Sequence, residues 1–128
     1  MRIAAAVLLA VALRGQDVPN EVTELLRTAA DALAQKDADE FLSKFDRNMP
    51  GYGTLESQVR SLVDRSEVSS TIEIVTSEGD EKRQKLKLDW YLRIGDDRPK
   101  RQIVKVAMEK QGRKWKITAF EPVDFFAP

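Results

Sequence analysis

Residues 37 to 52 read "DADEFLSKFDRNMPGY", which places four carboxylates and a tyrosine beside two phenylalanines. Such a set can do proton chemistry. Asp39 or Asp46 would act as the base, and the Tyr52 hydroxyl would donate to an oxygen that gains charge. The same letters also have a structural reading. Asp37 and Glu40 have the D-x-x-E spacing of a capping box, in which each side chain accepts from the other residue's amide. Asp39 then sits in a first helical turn, where negative charge is favoured without any partner. Phe41, Leu42 and Phe45 form one apolar stripe, and "DRNMPG" stops the helix because Pro50 disfavours helical backbone at Met49. This structural reading outweighs the catalytic one for three of the four carboxylates.

The rest of the composition narrows the chemistry further. The chain has 128 residues and no Cys or His. That removes disulfides, thiol nucleophiles, thiolate metal sites and the usual carrier of protons near neutrality. Triads of the Cys–His or Ser–His–Asp kind are excluded. Neither a Walker A run nor a GxGxxG occurs, so no cofactor or metal is expected. Lys and Arg number 21, as do Asp and Glu, giving a formal charge of +0. No global field draws nucleic acid. The basic stretches "EKRQKLK" and "DRPKR" read as a solvated strand face and a loop, because single-strand binding would want aromatics interleaved on that face.

The first residues, "MRIAAAVLLAVALRGQD", join a basic start to a short apolar run from Ile3 to Leu13. An apolar helix of that length reaches only about half-way across a hydrocarbon core. It reads as a signal peptide over residues 1 to 15, followed by one domain over 18 to 128. The expected product is exported, to the periplasm in a Gram-negative host, with no membrane anchor after cleavage.

These residues must be positioned by three helices and four strands. Pro19-Asn20 predicts a helix start with Asn20 as N-cap, and Val22, Leu25, Leu26, Ala29 and Leu33 share one face. A short helix carries Phe41, and a third is predicted from Leu55 to Arg65 with Thr54 as its cap. From Glu67 the period changes to two. Leu86, Leu88, Trp90 and Leu92 alternate with Lys85, Lys87, Asp89, Tyr91 and Arg93. Val104, Val106 and Met108 face inward on the third strand, and "KQGRKW" is a tight hairpin into "WKITAF". Phe120 is out of phase with Trp115 and Ile117, so it is either exposed or turned inward by a bulge near Glu121-Pro122. The class is α+β.

Two stretches carry a resemblance. In "AADALAQKDADEFLSKFDRNMPGY" a short second helix follows the first almost without a loop, and "VKVAMEKQGRKWKITAFEPVDFF" has Gly before W-K-I and Pro after Phe120. The chain resembles the nuclear transport factor 2-like superfamily, which includes ketosteroid isomerases and SnoaL-like polyketide cyclases. The resemblance implies three N-terminal helices in the concave face of a curved antiparallel four-stranded sheet, forming a cone with a pocket. Phe41, Phe45, Tyr52, Leu88, Trp90, Val106, Met108 and Phe120 would line it and hold a small apolar ligand. A homodimer through the outer sheet face is a further implied partner, although the charged outward residues argue against a large apolar interface. The isomerase set of a carboxylate base, a Tyr and a protonated Asp is incomplete here, since Asp89 points away from the face that buries Trp90. The expectation is therefore an exported small-molecule-binding or accessory domain, more binding than catalytic. An enzyme using Tyr52 with Asp39 or Asp46 is the alternative, and a protein-interaction domain acting through the outer face is the second.

Overall fold

A computed structural model describes residues 18 to 128, and the signal-peptide expectation lies outside the described residues. Helix α1 runs Asn20–Ala34, α2 Ala38–Leu42 and α3 Tyr52–Arg65. Strands β1 (Val68–Gly79), β2 (Arg83–Ile94), β3 (Lys100–Gln111) and β4 (Lys114–Glu121) follow. The sheet is antiparallel, curved and unclosed, in the order β1-β2-β3-β4. The α+β expectation of three helices followed by a curved four-stranded sheet holds.

Helix α1 lies against β1 and touches β4, while α2 bridges α1 to α3. Its buried stripe of Val22, Leu26, Ala29, Ala32 and Leu33 follows the helical period. Leu55, Val59, Leu62 and Val63 do the same for α3. Helix starts differ from the sequence reading. Asn20 is already inside α1, after Pro19, and makes no side-chain cap. Helix α3 begins at Tyr52 instead of Leu55, because Gly51 takes the left-handed conformation (φ 79°) just before it and replaces Thr54 as the cap position. A Cβ on Gly51 would also lie 2.6 Å from Val123 Cγ2, so the tail after β4 packs directly over this turn. The capping box is half formed. Asp37 accepts from the Glu40 amide at 3.0 Å, but the Glu40 carboxylate pairs with Lys44 at 2.8 Å.

Strand phase is set by two bulges. Between β1 and β2 the register shifts after Ile74, leaving Val75 as the extra residue. Between β3 and β4 it shifts between Ala107 and Met108, where Thr118 is extra. The second bulge turns Phe120 inward, three residues before the expected kink at Glu121-Pro122, and Phe120 is buried. The first moves Thr76 and Glu78 onto the outer face opposite Lys87 and Lys85.

Candidate functional site

The concave side of the sheet is where the sequence placed a pocket. Phe41, Phe45, Leu88, Trp90, Val106, Met108 and Phe120 are all buried there, within one continuous apolar cluster. Two residues the sequence reading missed sit among them. After Pro122 the chain inserts Phe125 and Phe126, 1% and 0% exposed, into this apolar cluster. The Phe126 ring lies 5.5 Å from Phe41, 5.6 Å from Trp90 and 5.7 Å from Phe120, and Phe125 lies 5.7 Å from Trp90. These are edge-on, tilted and stacked contacts at ordinary aromatic distances. The space that the resemblance leaves for a ligand is here taken by the protein's own tail.

Lys100 holds that tail down. Its Nζ donates to the carbonyl oxygens of Phe125 at 2.6 Å and Ala127 at 2.9 Å, and lies 5.5 Å from the centre of the Phe125 ring. Inside the aromatic cluster one polar atom is left over. Trp90 Nε1 is buried and has no acceptor among the described residues, a deficit of about 1–3 kcal/mol for an amide-like donor.

Tyr52, Asp39 and Asp46 occupy a different place. The three line one shallow depression of about 480 Å³ between α2, the start of α3 and the β3–β4 hairpin, floored by Leu42 and Phe45. The structure therefore brings the proposed base and donor to one surface. The electrostatics do not suit a base. Asp39 is tied to the Arg60 guanidinium at 2.9 Å. Asp46 accepts from the Asn48 amide and from Gln111 Nε2, both at 2.8 Å, and these bonds, with Lys116 nearby, hold its carboxyl below the usual range. A base that works near neutrality needs its pKa moved the other way. Asp89 is half-buried on the outer face, where Arg101 grips it with bonds of 3.0 and 2.7 Å and lowers its pKa. Among the described residues no cluster of three or more Asp, Glu, His or Cys is placed to hold a metal ion, and no helix is long and apolar enough to cross a membrane.

A third concavity lies on the opposite side of the sheet. It measures about 530 Å³ and crosses all four strands at the level of the two bulges. Lys85, Lys87 and Lys105 project around it, with half-buried Ala107 and Ala119 in its floor. The alternation pattern marks only the lysine side of this groove, because Thr76, Glu78, Ala119 and Glu121 reach the outer face through the bulges.

Neither a family model nor a curated protein matches the chain. Solved structures do. An NTF-2-like protein of unknown function from Shewanella oneidensis MR-1 superposes with a TM-score of 0.69 at 14% identity, covering 79% of this chain and 94% of that one. The fold is nuclear transport factor 2-like. A conserved protein from Planctomyces limnophilus DSM 3776 gives a TM-score of 0.70 at 9% identity, over 79% and 91% of the two chains. A cystatin-like protein of unknown function from Nostoc punctiforme PCC 73102 gives 0.62 at 16%, over 79% and 86%. At these identities the likeness is one of nuclear transport factor 2-like architecture, and fold alone does not assign an activity.

Proposed function

We propose that this chain is an exported, non-catalytic accessory domain that binds through the outer face of its sheet. One observation carries the reading. Phe125 and Phe126 pack among Phe41, Trp90 and Phe120 on the concave face, while the lysine-rimmed groove lies open on the outer face. The carboxylates available as bases add support: Asp39 is engaged by Arg60, and the pKa values of Asp46 and Asp89 are lowered by amide donors and by Arg101. The basic start and the short apolar run from Ile3 to Leu13 support the export part of this reading.

A second reading has its own support. The unpaired Trp90 N–H could meet the one acceptor of an apolar ligand that displaces the Phe125–Phe126 tail. A thermal-shift panel of apolar ligands, run on the parent and on Trp90→Phe, separates the two. The outer-face reading expects no stabilisation in either protein. Stabilisation of the parent that disappears in Trp90→Phe would move the binding site into the cone and overturn it.

A further inference from the structure

Strand register arranges the outer groove as a small grid. Thr76, Lys87, Lys105 and Glu121 form one row across β1 to β4. Glu78, Lys85, Ala107 and Ala119 form the next row on the same face. Lys87 and Lys105 are direct cross-strand partners, so their backbones are only about 5 Å apart. Like charges at that position destabilise a sheet.

Glu121 stands across from Lys105 and Glu78 across from Lys85, but Lys87 has no acid opposite it on either side. Asp89, two residues along β2 from Lys87, is taken by Arg101, and Glu109, two along β3 from Ala107, is taken by Arg83 at 3.5 Å. Among the described residues, none of Lys85, Lys87 and Lys105 lies within 4.0 Å of a carboxylate. Glu78 and Glu121 stand at diagonal corners of the grid. The result is a compact cationic centre with acidic corners and a small-residue floor.

On the reading that the outer face is the working surface, we propose that this grid binds the phosphate monoester of a small apolar molecule. Charge and shape both point there. Lysine ammoniums act as point charges that accept a multi-oxygen anion from several directions, whereas bidentate carboxylate recognition calls for arginine. A dianionic phosphate matches the Lys87–Lys105 pair with Lys85 beside it. The floor of Ala107 and Ala119 takes the apolar body. Glu78 and Glu121 repel any ligand with several spaced anionic groups, which disfavours nucleic acids and acidic peptides. The groove's volume of about 530 Å³ suits a small molecule.

Phenyl phosphate titrated into the ¹⁵N-labelled protein tests this. Amide shifts should concentrate on Thr76, Lys87, Lys105, Ala107 and Ala119. Each of Lys87→Gln and Lys105→Gln should weaken binding roughly tenfold, the effect of one charge-assisted hydrogen bond. Glu121→Gln should tighten it, and added salt should weaken it. Lys87→Gln should not melt earlier than the parent, because it removes a repulsion and no attraction, so its lost binding cannot be read as lost fold. Inorganic phosphate binding as tightly as phenyl phosphate would overturn the ester assignment. Shifts that are absent, confined to residues around Trp90, or indifferent to the lysine variants would overturn the phosphate site. A silent phosphate titration leaves the apolar-ligand panel to judge the outer-face reading separately.

Discussion

The two faces of one sheet differ in how completely their interactions are resolved. On the concave face, Leu86, Leu88, Trp90 and Leu92 alternate into a closed apolar layer, sealed by Phe125 and Phe126. On the convex face the same strand presents Lys85, Lys87, Asp89 and Tyr91, and Lys87 stands between the uncharged Thr76 and the like charge of Lys105. Packing constrains the first face tightly, since interiors tolerate little change in volume. The second face contributes little to folding, and its side chains are free to serve recognition. In this chain stability and recognition are divided between alternate residues of the same strands.

Substitutions on each face should break or sharpen that division. The largest loss is expected for Trp90→Ala, at about 3–5 kcal/mol of unfolding free energy from urea titration. Trp90→Phe should cost clearly less, because it keeps an aromatic ring in most of the same space. Lys100→Met should lower stability by about 1–3 kcal/mol, since it removes the charged donor to two tail carbonyls. Hydrogen exchange should then quicken at Phe125 and Ala127 while the β2 amides stay protected. Gly51→Ala forces a left-handed alanine against Val123 and should cost about 1–2 kcal/mol or more.

Outer-face changes should be smaller and of opposite sign. Lys87→Glu replaces a repulsion with an attraction to Lys105 and should stabilise by about 0.2–1 kcal/mol, fading with added salt. A destabilised Lys87→Glu protein would show that the convex face is already optimised. The acid response should be the mildest. Asp46, Asp80 and Asp89 have folded pKa values below the ordinary 3.8, through backbone amides for Asp46 and Asp80 and through Arg101 for Asp89. A depressed folded pKa stabilises above the unfolded value and loses that stabilisation as pH falls through the folded one. Melting temperature should therefore begin to drop near pH 4, and Asp89→Asn should flatten part of that drop.

Much of this architecture can be read from local pattern. The period-two run around Trp90 and the apolar faces of α1 and α3 are direct consequences of which side of an element meets the core. The bulges are not legible that way. A slip of one residue at Val75 or Thr118 depends on how the whole sheet must curve, and nothing at those positions announces it. Those slips decide the place of Phe120 and of Thr76, Glu78, Ala119 and Glu121 in the outer groove. The tail "VDFFAP" has no period at all, so its two phenylalanines could not be assigned to the core before the cone existed to receive them. For the carboxylate cluster, the sequence supplied Asp39, Asp46 and Tyr52 as candidates, and the structure places all three along one depression. The sequence could not reveal that Arg60 and Gln111, distant along the chain, reach in and fix the two acids.

The loop after α2 forms a single parallel bridge, Phe45 to Ile117. The Ile117 amide donates to the Lys44 carbonyl, and the Asp46 amide donates to the Ile117 carbonyl, both at 2.8 Å. The middle of β4 is thereby closed to any further strand, while β1 at the opposite border has no such cover among the described residues. Edge-to-edge growth needs two open borders. A molecule with one can join a single neighbour by strand addition, and then the ribbon stops.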